Sequence, residues 1–251
     1  MPTPFTHLAT AQRLLADPAL PPKARALLHA QRPAFLLGSV AADARVNSGS
    51  QRADTHFYRY EAQITERPWR VMLAQHPVLQ QAKDAAQAAF LAGYVGHLAV
   101  DEYWSVNMLL PHFHNRQWGT RDFRYFMLHI LLVYMDERDL TLLEEWQPAT
   151  LSSARPDSWL PFMPDATLRD WRDFIAGQIA PGSESRTLQI FGARIHRTPA
   201  DFRAVLDEPK QMQTNLWQHI PPEELARIER EMYAYARAQM IEYAAEFLRM
   251  A

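Results

Sequence analysis

His97 and Asp101 stand four residues apart inside AAFLAGYVGHLAVDEYW (residues 88–104), a stretch otherwise built from apolar and small side chains. On a helix that spacing stacks both side chains on one face. A histidine and an aspartate aimed together into apolar surroundings are costly unless a cation or hydrogen bonds satisfy them. Gly93 and Gly96 precede the pair, although a glycine inside a helix costs roughly 1 kcal/mol relative to alanine. Something must press closely on that face, and a metal site shared between helices would account for both features. The plainer alternative is a buried His–Asp hydrogen bond that knits two helices. The pair alone does not separate the two.

Further donors recur along the N-terminal part. His7 lies in FTHLA, Asp43 in FLLGSVAADAR and His56 in DTHFYR. The chain has no cysteine, so a metal would be held by imidazole and carboxylate, a donor set suited to zinc, with iron, manganese or nickel as alternatives. Carboxylates can bridge two ions, and paired metals clamp both oxygens of a phosphoryl displacement. Taken singly, Asp43 could be a helix-end residue and His56 a cap of the following turn.

The ordered series H…FLLGSVAAD…THF…GYVGHLAVDEYW resembles the bacterial zinc-dependent phospholipase C family, related to single-strand-specific zinc nucleases, over roughly residues 4–104. The resemblance implies an all-helical fold, a cluster of up to three zinc ions and hydrolysis of phosphodiesters. It implies that Asp43, His56, His97 and Asp101 bind one zinc and that His7 binds a neighbour, with Asp101 as the bridge. Asp43 falls where the family places a carboxylate acting as general base. Two departures accompany it. Secreted members use their processed N-terminal residue as a ligand, whereas Met1 lies only six residues before His7, so the second ion is expected to be short of ligands. For a third zinc, His112 or His114 and then His129 are the outer candidates, but Val133 stands where a glutamate is needed. That site is expected to be incomplete. Without the resemblance, His112 and His114 read as surface histidines and His129 as a core histidine.

The elements that must position these residues read as helices throughout. Eight glycines and 18 prolines punctuate the 251 residues, and no segment alternates with period two, so the expected class is all-α, a multi-helix bundle. Thr3 or Thr6 caps a helix towards Ala16, the pair Pro21 and Pro22 starts a second, and Pro33 opens the segment carrying Asp43. Residues 47–56 read as a loop, 66–76 as a short helix, and Val78–Trp104 as the central helix. A loop over 111–120, a helix from Arg121 to Asp136 and a short one from Leu140 to Trp146 follow. The proline-rich stretch 148–164 reads as a linker, followed by helices near 165–180, 185–196, 199–207 and 210–219. The last helix starts at Pro221-Pro222-Glu223-Glu224, and Leu225, Ile228, Met232, Tyr235, Met240, Tyr243 and Phe247 form its apolar stripe. Its mixed-charge polar face suits packing better than a membrane surface. The aromatics Phe57, Tyr58, Tyr60, Trp69, Tyr103 and Trp104 could line a pocket, but their spacing favours core.

Hydrophobic residues make up 48% and charged residues 22%, with a net charge of −2, which argues against a polyanionic partner such as nucleic acid. No apolar run is long enough to span a bilayer and no signal segment opens the chain, so a cytoplasmic location is expected. The expectation is one all-helical domain, residues 1–251, with a metal-site half (1–147) and a C-terminal helical half (165–251). Its expected function is metal-dependent, phospholipase C-like hydrolysis of a small phosphodiester or phospholipid by metal-activated water, using one to three zinc ions. The alternative is a metal-binding helical protein without turnover. Oligomeric state is left open.

Overall fold

The computed structural model describes residues 1–60 and 62–248. Three helices open the chain: α1 (Pro4–Ala16), α2 (Pro22–Ala30) and α3 (Arg32–Ala41). A 3₁₀ turn (Ala42–Ala44) leads into the short α4 (Arg45–Ser48) and α5 (Ala53–His56). Next come α6 (Pro68–Gln75), a 3₁₀ turn (Pro77–Gln80) and α7 (Ala85–Trp104), which runs into a wide-turned π segment (Ser105–His114). Beyond lie α8 (Arg121–Leu140), α9 (Gln147–Ser152), α10 (Asp165–Gln178), α11 (Thr187–Ile195) and α12 (Pro199–Leu206). The chain ends with α13 (Pro209–Met212), a second π turn (Gln213–Trp217) and α14 (Pro222–Phe247). No strand occurs among the described residues, as the missing period-two pattern implies. Proline sits in the first turn of α1, α2, α3, α6 and α14, where its absent N–H costs nothing and its φ is already helical.

Several boundaries differ from the sequence reading. The central helix starts at Ala85 rather than Val78, because the Asp84 carboxylate accepts from the backbone N–H of Gln87 at 2.7 Å and caps it there. The supposed loop at 111–120 is helical as far as His114. Pro111 cannot donate, and wider turns absorb the loss, ending with Asn115 N–H donating to Leu110 carbonyl at 2.8 Å. No helix forms over Leu140–Trp146. Instead α8 runs on to Leu140, where the buried Asp139 accepts from Thr6 Oγ1 at 2.6 Å, and the next helix waits for Pro148. Residues 53–56 form a helical turn inside the expected loop. The stretch 148–164, expected as a linker, is packed, with Leu151, Ala154, Trp159, Leu160 and Met163 buried.

The crossing of α3 and α7 positions everything that follows. A Cβ on Gly38 would lie 1.9 Å from the carbonyl oxygen of Phe90, and one on Gly93 would lie 2.3 Å from that of Phe35. Each helix thus presents a glycine to the other's backbone, and no side chain fits between them. Gly96 is different: its nearest neighbours are Met240 Sδ of α14 at 3.6 Å and Leu14 of α1 at 3.9 Å, ordinary contact. The apolar stripe of α14 closes this side through Met240 and Tyr243, both buried. No helix of the described residues is long and apolar enough to cross a membrane.

Candidate metal centre

Four elements converge on one buried spot. His7 comes from the first turns of α1, Asp43 from the 3₁₀ turn after α3, His56 from the end of α5, and His97 with Asp101 from α7. Their donor atoms form two groups, His7–His97–Asp101 and Asp43–His56–His97, the atoms of each lying within 4.8 Å of one another. His56 Nε2 is 3.2 Å from Asp101 Oδ2, 3.4 Å from His97 Nε2 and 3.5 Å from Asp43 Oδ1. His97 Nε2 is 3.8 Å from the same Asp101 oxygen. Zinc bonds of about 2.0–2.1 Å in a tetrahedron would set donor atoms about 3.3–3.4 Å apart. The separations bracket that value.

Hydrogen bonds fix which nitrogens face inward. His97 Nδ1 donates to the Ser39 carbonyl at 2.9 Å, in the last turn of α3. His56 Nδ1 lies 2.9 Å from Thr55 Oγ1, whose proton points back to the Arg52 carbonyl at 3.4 Å, so the imidazole is the donor. Both rings therefore turn an Nε2 lone pair inward, the tautomer a metal requires. Two such lone pairs 3.4 Å apart repel unless a cation stands between them. His7 stacks on His97 with ring centroids 3.8 Å apart. Its Nε2 lies 3.3 Å from Asp101 Oδ1, yet the approach is misaligned, and neither these two atoms nor His7 Nδ1 has a hydrogen-bond partner. Buried orphans of this kind call for an explanation, and a cation supplies one. The residues fit the metal.

Burial pushes the His97 imidazole down to about 3, helped by the neighbouring charge of His7. For Asp43 and Asp101, burial alone would raise the carboxyls. The contact with His56 and the charge of His97 more than offset it, as does His7 for Asp101, and both lie below the usual carboxylate range. The Met1 amino group is buried in the field of Asp101 and Arg52, and burial pushes it down to about 6.

One residue at the centre, Arg52, was not singled out in the sequence. Arg52 lies one helical turn before His56, and its Nη2 donates to Asp101 Oδ2 at 2.7 Å and to the Tyr58 hydroxyl at 2.8 Å. Its guanidinium lies 4.4 Å from the ring centres of both Tyr58 and Tyr60. The i, i+4 relation of Arg52 and His56 in QRADTH was the available signal. Phe57, in the left-handed region at φ 62°, then turns the chain sharply, so that Tyr58 reaches the Asp101 carbonyl at 3.1 Å and Ser105 Oγ at 2.8 Å.

Residues 6–133 match the family described as Zinc dependent phospholipase C. The chain belongs to this family. The match runs past Trp104, where the resemblance visible in the sequence stops, and takes in α1 to most of α8, including all five converging residues. No curated protein and no solved structure matches the chain.

The three outer candidates lie outside the two donor groups, although His114 and His129 line the cleft that reaches the centre. His112 Nε2 pairs with Glu224 of α14 at 3.4 Å. His114 is exposed. His129 Nδ1 donates to the Tyr125 carbonyl at 2.8 Å, and burial pushes its imidazole down to about 4. None belongs to a metal-competent cluster among the described residues.

One large cleft, about 1230 Å³, reaches the centre. Asp43, Arg52 and Tyr60 line it at that end; Leu128, Leu132, Phe174, Ile175, Ile190 and Phe191 belong to its other walls. Asp43 is the one carboxylate of the centre with appreciable side-chain exposure, 22% against 1% for Asp101. Tyr60 thus serves the cleft, whereas Trp69 and Trp104 are core, as their spacing suggests.

Proposed function

We propose that this chain is a zinc-dependent phosphodiester hydrolase of the phospholipase C type, acting on a small phosphodiester or a phospholipid. The observation that carries the reading is the pair of donor groups sharing His97, in which His7 and Asp101 Oδ1 are buried without hydrogen-bond partners, with Asp43 opening onto a cleft of ligand size. In this reading Asp43, His56, His97 and Asp101 hold one zinc. His7 holds a second, and Asp101 offers Oδ1 to the His7 side and Oδ2 to the His56 side, the disposition a bridging carboxylate needs. When bound, zinc supplies Lewis acidity towards phosphoryl oxygens and lowers the pKa of water to about 7. The protein's own part is positional. Ser39 and Thr55 hold His97 and His56 in register, α7 and α14 exclude bulk water from the inner face, and Asp43 accepts a hydrogen bond from the attacking water at its cleft-facing oxygen. Ionised throughout the neutral range, Asp43 orients that water rather than serving as a strong base.

The test joins elemental analysis to turnover. Protein purified without chelator should carry zinc, hydrolyse a soluble phosphodiester or micellar phospholipid, lose activity on chelation and regain it with zinc. Fully loaded protein that turns over none of a broad phosphodiester panel would favour the alternative, a metal-binding protein without catalysis.

A further inference from the structure

We infer that Arg52 is a built-in counter-cation of the centre: it pairs with Asp101 when no metal is bound and competes with zinc for that carboxylate, so that it loosens the metal instead of helping to hold it. The inference goes beyond the hydrolase reading and takes from it only that zinc is the ion bound.

The placement is specific. Arg52 precedes α5, and its carbonyl accepts the backbone N–H of His56 at 2.8 Å, so the residue is anchored to the turn that delivers a donor. Its Nη2 donates to Asp101 Oδ2 at 2.7 Å. The same oxygen lies 3.2 Å from His56 Nε2 and 3.8 Å from His97 Nε2. It is therefore the oxygen that an ion between those two imidazoles would use. Nη2 also reaches the Tyr58 hydroxyl at 2.8 Å, and the rings of Tyr58 and Tyr60 each lie 4.4 Å from the guanidinium. The side chain is only 14% exposed. The rings hold the cation against the carboxylate.

Groups behind a metal ligand ordinarily fix its orientation or raise its basicity, and losing one weakens the metal. Arg52 acts with the opposite sign. It is always charged, so it draws Asp101 towards itself and repels a dication a few ångströms away, where screening is weak. The charges of Asp43 and Asp101 together balance one zinc ion. Arg52 leaves the filled centre with a positive excess, which a second ion would increase. Without metal the balance is reversed. Asp101 is 1% exposed, and a buried carboxylate stripped of its cation is strongly disfavoured. Its Oδ1 already lacks a hydrogen-bond partner. Arg52 thus favours the metal-free centre and disfavours the loaded one, and both effects lower zinc affinity. The consequence is a centre that is built before metal arrives and from which zinc can be exchanged.

Zinc affinity by chelator competition, with no substrate present, tests this through the sign of the change. Arg52→Gln should bind zinc at least tenfold more tightly than the unmodified protein. In urea, its metal-free form should unfold at a lower midpoint than the unmodified metal-free protein, while the zinc-loaded forms should differ less. Arg52→Lys keeps the charge and should stay within about threefold of the unmodified protein in zinc affinity. It also covers the case in which the glutamine variant does not fold without metal. Weaker or unchanged zinc binding in Arg52→Gln, or a tenfold loss in Arg52→Lys, would show a residue that merely orients Asp101 and would overturn the inference. Tighter zinc in Arg52→Gln from a protein that hydrolyses no phosphodiester would sink the hydrolase reading and keep this one. Turnover in the unmodified protein together with weaker zinc in the glutamine variant would do the reverse.

Discussion

Asp101 and Asp136 are equally buried, each 1% exposed, yet their carboxyls are shifted in opposite directions. Asp101 faces His7, His56, His97 and Arg52, and is held well below the usual carboxylate range. Asp136, on the part of α8 beyond the family match, accepts from Thr187 Oγ1 at 2.5 Å and Ser185 Oγ at 3.3 Å. With hydroxyls for partners and Asp139 nearby, burial pushes it up to about 6. Depth is common to both, so partner chemistry decides. The Arg52 cation and the surrounding imidazoles keep the first an anion, ready to hold a metal. Hydroxyls make the second a group that ties α8 to the segment leading into α11 and is easiest to bury when protonated.

The largest expected effect is at the charged end. Asp101→Asn keeps the shape and removes the charge, so zinc affinity, measured by chelator competition, should fall more than 100-fold, with activity following it. Tight stoichiometric zinc in that variant would break the assignment of Asp101 as a ligand. Close behind comes Gly38→Ala, whose new methyl would meet the Phe90 backbone. Overpacking against a carbonyl that cannot rotate away should cost about 3 kcal/mol in urea unfolding. A cost near zero would mean that the α3–α7 crossing yields, and that the reach of His97 to Ser39 does not depend on it.

At the hydroxyl end the expectation is a pH effect. The folded-state value of Asp136 lies above its unfolded value of 3.8. The stability tied to its protonated form is therefore complete below about pH 4 and lost as pH rises through about 6, roughly 3 kcal/mol for a shift of about two units. Asp43 and Asp101 have lowered values, so their contribution is lost only on acidification below the usual carboxylate range. Asp136→Asn should flatten the decline between pH 4 and 6 and raise stability at pH 7 by about 2 kcal/mol, read from urea midpoints at several pH values. An unaltered profile would erase the contrast between the two carboxylates. The smallest effect belongs to Thr55→Val, which removes the hydroxyl holding His56 Nδ1. Zinc affinity should drop about tenfold without loss of fold, and an unchanged affinity would mean that packing alone orients His56.

Much of this was written locally. Prolines marked where the helices start, because a missing N–H and a preset φ act on their own turn. The four-residue step from His97 to Asp101 placed both on one face, because helix geometry depends on spacing alone. The absence of cysteine left imidazole and carboxylate as donors. Gly93 announced a close neighbour, and one is there, although Gly96 meets only the side chains of Met240 and Leu14 at ordinary distances. What the sequence could not state was who the neighbour is. Gly38 meets the backbone of Phe90, and Gly93 that of Phe35 and Ser39, all more than fifty positions apart, and that approach carries Ser39 to His97. Arg52 was unremarkable in a polar loop until folding set it between two tyrosines and against Asp101. His112 looked available for a metal until α14 brought Glu224 beside it. Side-chain type and periodicity determined the helices and the donor set, since both are properties of one chain segment. The tertiary structure decided which donors meet and which arginine reaches the central carboxylate, because contact and desolvation are set by segments distant in sequence.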